Sequence, residues 1–510
     1  MSAPTPDAAT TVALILAAGQ GTRMRSPELP KVLHPLLDWP LVFYPIAAAH
    51  GAGVHRVVTV VSPEGDGAAR SVRDTIAARF PEVAFAVQRA PRGTGHAVLS
   101  GLEDASGHGA APLDGARTVV VLSGDVPGLR AETLRALLDE HHRAHGRLAT
   151  FATFEADDPT GYGRVLRDRA GAPSAIVEHA DATPAQRAIR EVNAGLYAFE
   201  LDALRGALAA LGDDNAQGEL YLTDVIAALA ARGRAGGGGE PPVATFPIDD
   251  PEEVAGVNTR AQLAQREAAL QARRNEALMV SGVTMRQPRT VRVGADAHVE
   301  PGVTLGAGVE LRGRTTVAAG TLVDTGCVLT DCAIGRGVHL KPYVVAEGAA
   351  LGDGATAGPF AHLRPGTVLG ARAKVGNFVE TKKAVIGDGS KASHLTYLGD
   401  CEIGRDVNVG AGTITCNYDG VAKHKTVLGD GVFVGSDTQL VAPVTVGANV
   451  TIAAGTTVTA DVPDGALVLS RTPQQVREGY YERHRRPREE AARAEKAAAK
   501  AKPQPPSTAR

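Results

Sequence analysis

The run from Val293 to Val323, VGADAHVEPGVTLGAGVELRGRTTVAAGTLV, decides the fold. Aliphatic residues stand at Val293, Val299, Leu305, Leu311, Val317 and Val323, most of them followed by a glycine or a small or acidic residue. A spacing of six fits neither an amphipathic helix at 3.6 nor a hairpin at 2, but it fits a short strand and a turn repeated as a solenoid. The phase slips after Val323, recovers at Leu351, Ala357, Leu363, Leu369 and Val375, and resumes through Leu428, Val434, Leu440, Val446, Ile452 and Val458. Each rung turns one aliphatic side chain inward and places Gly, Asn or Asp at the turn, where left-handed dihedrals are common. The pattern predicts a parallel β-helix of hexapeptide repeats over 282–475, with about three rungs, or eighteen residues, per turn.

Glycine usage marks where this block begins: residues 1–280 hold 28 of the 59 glycines, while residues 281–470 hold 30 in a shorter stretch. Upstream, strand-like Val12–Leu16, Val57–Val61 and Ala84–Gln88 alternate with helical stretches such as Leu41–His50. That order argues an α/β, Rossmann-like domain over 12–257 with a largely parallel sheet. Between the blocks, Asn258 and Thr259 can cap a connecting helix over 258–281. The glycine run between Arg234 and Pro242 reads as a surface loop. The first eleven residues read as a disordered extension. From Arg483 onward nine Lys or Arg face three Glu, so 476–510 is expected to be a charged, largely disordered tail.

Composition excludes several function classes. With 53 basic and 56 acidic residues the net charge is −3, so no global basic field exists to hold a nucleic acid or an anionic membrane. The apolar stretch Val12 to Ala18 is far short of the ~20 residues that cross a bilayer. The four cysteines, Cys327, Cys332, Cys401 and Cys416, fall outside C-x-x-C spacing and suit a reducing compartment. The expectation is a cytoplasmic protein with neither nucleic-acid nor membrane partners.

The first chemical signal follows strand Val12–Leu16, where Ala17-Ala18-Gly19-Gln20-Gly21-Thr22-Arg23-Met24 forms a glycine-containing turn expected to open a helix and offer N–H groups to phosphate. It lacks the lysine of a Walker A loop and the third glycine of a dinucleotide fingerprint. Pro30-Lys31 follows, so Arg23 and Lys31 supply two cations for a triphosphate. Leu122-Ser123-Gly124-Asp125 ends a second apolar strand in a carboxylate, where open α/β sheets place ligands.

These motifs resemble the opening of the sugar-1-phosphate nucleotidylyltransferases. Joined to the hexapeptide block, the chain is similar, from about Val12 to Arg471, to the bifunctional N-acetylglucosamine-1-phosphate uridylyltransferase / glucosamine-1-phosphate N-acetyltransferase family. The resemblance implies a left-handed β-helix, a homotrimer, and UTP, acetyl-CoA and sugar phosphates as small-molecule partners. The product would be UDP-N-acetylglucosamine for cell-wall precursors. It further implies that Leu16, Ala17 and Gly19 hold uridine, that Gln88, Gly93 and Thr94 recognise the base, and that Gly163, Glu178 and Asn193 contact the sugar. Asp125 and Asn258 resemble the ligands of a Mg²⁺ ion. Attack of the sugar phosphate on the α-phosphorus of UTP would then proceed by positioning and charge neutralisation, with Arg23 and Lys31 catalytic.

In the second block, the polar stretch Thr415-Cys416-Asn417-Tyr418-Asp419-Gly420-Val421-Ala422-Lys423 interrupts the register, as corner insertions that serve binding do. Arg364 and Lys382 are eighteen apart, one turn of the coil, and should stack into a phosphate site. The resemblance names His394, in His394-Leu395-Thr396-Tyr397-Leu398-Gly399, as the general base for acetylation of the glucosamine amine. It places Arg364, Lys382, Tyr397, Asn408, Asn417 and Lys423 on glucosamine 1-phosphate, and Asn417, Tyr418, Ser436, Ala454 and Arg471 on acetyl-CoA. Cys416 reads as a loop residue, because amine-to-thioester transfer needs no acyl-enzyme. Two alternatives remain at this stage: a single-function nucleotidylyltransferase with a structural β-helix, and a silent scaffold or nucleotide sensor on the same folds.

Overall fold

The computed structural model describes residues 8–19, 21–63, 72–104, 113–234 and 240–501. The glycine run at 236–239 lies outside them, as do the first seven residues of the N-terminal extension; Ala8–Thr10 form one 3-10 turn leading into the first strand.

The N-terminal half is built on nine strands: β1 Thr11–Leu16, β2 Arg56–Val61, β3 Ala84–Val87, β4 Thr118–Ser123, β5 Ala149–Glu155, β6 Arg164–Arg167, β7 Pro173–Val177, β8 Glu191–Glu200 and β9 Val243–Pro247. Their order is β9-β5-β8-β4-β1-β2-β3, with β6 joining β8 to β7. β1 runs parallel to both β2 and β4, and β8 runs antiparallel to β4 and β5. Val12–Ile15 are fully buried because helices cover both faces of a parallel sheet, so the strand is apolar throughout instead of alternating. The chain leaves β1 toward β2 on one side and returns to β4 on the other. Such a reversal opens a crevice beyond the strands' carboxyl ends, here at Leu16 and Ser123, which pair in register.

Thr259 caps the connecting helix Arg260–Val280 through a reciprocal box with Gln262. The coil that follows pairs each strand with the one three places on. Arg292 pairs Glu310, a turn of eighteen residues, but Thr316 pairs Ala333 and Val328 pairs Val345, turns of seventeen. Those short turns are the phase slip seen in the sequence. The next interruption is larger: Glu402 pairs Val427, twenty-five residues on, because the polar stretch around Asn417 bulges out. All seventeen aliphatic positions named from the six-residue spacing are buried. Burial pushes the Cys327 thiol up to about 11 and Cys401 up to about 12, so neither is a thiolate near neutrality.

Two expectations are corrected. The tail is not largely disordered through 501: Arg486–Ala501 is a helix, preceded by a wider turn over Tyr481–Arg485. Alanine favours helix strongly, and oppositely charged residues four apart support it; Arg485–Glu489, Arg486–Glu482 and Arg486–Glu490 are such pairs. The turn after β1 does not open an α-helix either. Only one 3-10 turn, Thr22–Met24, forms, since Gly21 and Arg25 on either side are left-handed.

Two candidate active sites

At the crevice, Gly124 N–H donates to Leu16 O (2.9 Å) and Ala17 N–H to Val60 O (2.8 Å), tying the ends of β1, β2 and β4 together. Beyond them lies a cleft of about 490 Å³ lined by Leu16, Ala17, Gly19, Lys31, Gln88, Gly93, Thr94 and Asp125. Ser123 and Glu219 line it as well; Glu219 lies far along the chain, with no local motif to flag it. A side chain on Gly19 would meet nothing within 4 Å among the described residues, whereas one on Gly93 (φ +97°) would strike Leu220 O at 2.7 Å. The left-handed turn at Gly93 therefore admits only glycine.

The charged end of the cleft is a compact cluster. Lys31 Nζ bonds the Asp125 carboxylate and, at 3.2 Å, Asn258 Oδ1, which also accepts from Arg23 Nη2 at 3.0 Å. Val257 N–H donates to Asp125 O (3.0 Å), which carries Asn258 to the carboxylate from the start of the connecting helix. Gly163, Glu178 and Asn193 lie together just before β6, just after β7 and on β8. Asn193 N–H donates to Gly163 O (2.9 Å), and a side chain on Gly163 would come 3.5 Å from Glu178 Oε1. Thr223 donates to Glu178 Oε1 (3.1 Å). Burial raises the Glu178 carboxyl above its ordinary range, and the Thr223 hydroxyl pulls it part of the way back. These three do not line the cleft itself. A side chain on Gly195, two residues past Asn193, would come 3.9 Å from Ser123 Oγ on its wall.

In the coil, Leu363 pairs Thr381, so Arg364 sits over Lys382 as the spacing required. Lys423 comes from the bulged stretch, closed by a bridge between Tyr418 and Lys423. Asp419 braces that stretch by accepting from Val421 N–H (2.8 Å), Ala422 N–H (2.7 Å) and His424 Nε2 (2.7 Å). Hydrogen bonding and repulsion from Lys423, then the charge of Arg364, hold the Lys382 ammonium below the usual lysine range. Three cations crowded together make a site for a phosphate dianion. Arg364 also meets Glu380 at 2.7 Å, and Asn417 Nδ2 donates to Asp400, a residue the sequence reading did not single out. A side chain on Gly399 would collide with the Tyr397 hydroxyl and lie 2.8 Å from Asn417 Nδ2. Tyr397, Asn417 and the cations thus share one corner edge of the prism.

His394 is on a different edge. It pairs in register with Asn377, and the positive-φ residues Phe378 and Leu395 mark its corner. Lys383 and Asp400 mark the corner of the cations. Strand Lys391–Ile403 carries the chain from one corner to the other. Five residues separate His394 from Gly399, ~16 Å at ~3.3 Å each. The imidazole is exposed, with Nδ1 2.9 Å from Asn377 Oδ1. An amide oxygen only accepts, so Nδ1 carries a proton, and in the neutral ring the lone pair is then on Nε2. The His394 edge continues through Gly412 N–H to Leu395 O (2.9 Å), Asp437 N–H to Ala411 O (2.7 Å), Gly455 N–H to Ser436 O (2.8 Å) and Arg471 Nη2 to Ala454 O (3.1 Å). Ser436, Ala454 and Arg471 therefore line up below His394. Asn408, which pairs Lys391 and Phe433, lies on a face flanking this edge and not with the cations.

Known proteins divide the chain along the same lines. Residues 12–237 match the nucleotidyl transferase family model, and residues 425–460 the bacterial transferase hexapeptide (six repeats) model. The bifunctional protein GlmU of Pelobacter propionicus is 48% identical over 471 residues, 92% of this chain and 97% of its own. That of Geobacter sulfurreducens is 47% identical, covering 93% and 98%, and that of Kineococcus radiotolerans 46% identical, covering 93% of each. Among the described residues no helix is long and apolar enough to cross a membrane. One half built around a nucleotide cleft and the other around a cationic coil corner make this a two-activity transferase, and with relatives of this identity along nearly the whole length, the chain belongs to the bifunctional GlmU family.

Proposed function

We propose that the coil half acetylates glucosamine 1-phosphate from acetyl-CoA and that the cleft half joins the product to UTP, releasing pyrophosphate and UDP-N-acetylglucosamine. In the cleft, uridine lies along Leu16, Ala17 and Gly19. Gly93 N–H and Gln88 Oε1, neither with a partner among the described residues, give the base a donor and an acceptor. Gly163, Glu178 and Asn193 take the sugar hydroxyls. Arg23 and Lys31 bear on the triphosphate and disperse the charge that grows as pyrophosphate leaves.

Asp125 and Asn258 fit a magnesium ion. Two hard oxygen donors that already converge on one positive charge, Lys31 Nζ, suit a small cation that keeps water and phosphate as its other ligands. When bound, the ion neutralises phosphate charge. The chain's own share of the step is orientation: Lys31 is freed from Asp125 to meet the triphosphate, and Arg23 is held at the mouth by Asn258.

For acetyl transfer, Arg364, Lys382 and Lys423 hold the sugar phosphate, with Tyr397 and Asn417 beside it. His394 Nε2 takes the amine proton as nitrogen attacks the thioester carbon and coenzyme A thiolate leaves. Asn377 keeps the lone pair on that nitrogen. Ser436, Ala454 and Arg471 support the coenzyme, and Asn408 and Tyr418 complete the two substrate sets. The base and the phosphate perch are on different edges of one coil, and each set is divided between those edges. A closed ring of chains that lays the His394 edge of one against the cation edge of the next completes the site, and a homotrimer is the ring proposed. Exposed apolar side chains on the His394 edge, with Tyr343, Phe360 and Phe378 stacked at 5.2 and 5.6 Å and Leu395 after them, suit such a contact.

The observation that carries the two-reaction reading is the triple-cation corner one edge away from an exposed imidazole whose Nδ1 is held by Asn377. The test is coenzyme A release from acetyl-CoA and glucosamine 1-phosphate beside pyrophosphate release from UTP and N-acetylglucosamine 1-phosphate. His394→Ala should abolish the first and leave the second. Wild type that releases pyrophosphate but no coenzyme A would make the coil structural only.

A further inference from the structure

Gln88 follows β3, where its N–H donates to Val61 O at 2.9 Å. Its side-chain Nε2 lies 3.1 Å from Gly93 O and 3.3 Å from His96 Nδ1. His96 belongs to the helix Thr94–Asp104, whose first turn packs beside the cleft, and it is half-buried. A carbonyl oxygen only accepts, so the amide atom that faces Gly93 O must be the NH₂ group. Its second hydrogen then points at His96 Nδ1, which must be the bare nitrogen, with the ring proton on Nε2. Both amide hydrogens are thereby used, and Oε1, with no partner among the described residues, is the only group Gln88 has left for a ligand.

We propose that His96 is a positioning residue that fixes the polarity of the Gln88 amide and so makes the cleft select uracil over cytosine, an inference that rests on the uridine reading given above. Uracil offers N3–H beside O4, a donor next to an acceptor. Gln88 Oε1 and the Gly93 N–H, both on residues that line the cleft, are the complementary pair. Cytosine offers the reverse, a bare N3 beside an amino group. An unrestrained glutamine would rotate by half a turn and present NH₂ to cytosine. Turned over in this structure, its oxygen would face Gly93 O, and His96 could meet it only by moving the ring proton from Nε2 to Nδ1. Without His96 only Gly93 O opposes that turn, and it already accepts from Ala97 N–H at 3.1 Å.

The test compares kcat/KM for UTP and CTP in the full-length chain, with N-acetylglucosamine 1-phosphate as acceptor. His96→Leu, which removes the acceptor at similar volume, should lower the UTP-to-CTP ratio about tenfold, the worth of one buried hydrogen bond. His96→Asn, whose Oδ1 is one bond from Cγ like Nδ1, should restore the ratio to within about threefold of wild type. The ratio of UTP to 5-methyl-UTP, which share the same edge, should not move in either. Ser100→Ala, which loses only a bond to His96 O, should leave both ratios unchanged and so control for helix packing. A folded His96→Leu that loses UTP and CTP turnover equally would overturn the proposal. Should that variant fail to fold, nitrogen-15 NMR of wild type decides: a proton on His96 Nδ1 overturns it, and one on Nε2 with the Asn rescue sustains it. Wild type that transfers from neither nucleotide would instead overturn the uridine reading.

Discussion

Mixing two dead variants should make a partly live enzyme. His394→Ala removes the base from its edge, and Lys382→Ala with Lys423→Ala takes two of the three cations from the other, leaving Arg364 already engaged by Glu380; each alone should release no coenzyme A. About 16 Å of strand separates those edges within a chain, so the proposed site takes its base from one protomer and its perch from the next. In rings assembled at random from equal amounts of both chains, a site works only when its base donor is the cation variant and its perch donor the His394 variant. Each condition holds for half the positions, so roughly a quarter of wild-type activity should return. The assay is coenzyme A release from co-expressed, differently tagged chains; in mixed trimers isolated through both tags one junction of the three pairs an intact base with an intact perch, so the expected level there is about a third. Pyrophosphate release should stay at the wild-type level throughout and report that the chains are folded. Mixed rings that release no coenzyme A would refute the division of the site between chains.

Three further outcomes follow from the geometry. Arg23, exposed and bonded only to Asn258 among the contacts at the cleft mouth, should when changed to Ala lower uridylyl kcat by on the order of 10², the cost of losing one charge-stabilising donor, with an unchanged thermal midpoint. Thr223→Val should carry the already raised pKa of Glu178 higher, since it deletes the hydroxyl that favours the carboxylate. The ionised form accepts from the sugar, so KM for N-acetylglucosamine 1-phosphate should begin to climb at a higher pH as the solution is acidified. A pH profile of KM that does not shift would remove Glu178 from the sugar contacts. Leu440→Ala, at a fully buried position of the coil, should cost about 2–5 kcal/mol in unfolding, read as an earlier denaturant midpoint and lost coenzyme A release.

What the sequence made legible depends on which interactions repeat. The inward aliphatics are one per rung with the same local cause, so a spacing of six reveals them, and an interval of eighteen puts Arg364 over Lys382. Where a turn shortens to seventeen residues or swells to twenty-five, the period breaks without saying whether a residue was lost or an insertion entered; the pairings of Thr316 with Ala333 and Glu402 with Val427 distinguish the two. Glu219 and Thr223 were not legible, since contacts across a cleft leave no periodic trace. His96 is two residues past Thr94 and Asn377 five before Lys382, yet their contribution is the direction of a hydrogen bond, which spacing does not encode. The tail was misjudged for a related reason. Nine cations against three Glu read as a solvated tail, but the four-residue offsets that pair Arg486 with Glu482 and Glu490 are a helix signal that a charge count discards. The separation of His394 from the cations has the same origin. Twelve residues are two thirds of a turn, so stacking along one corner and displacement to another are both written in the numbers 364, 382 and 394. The first interval returns to its own edge and the second cannot, and a chain that needs both groups on one substrate has to borrow one of them from a neighbour.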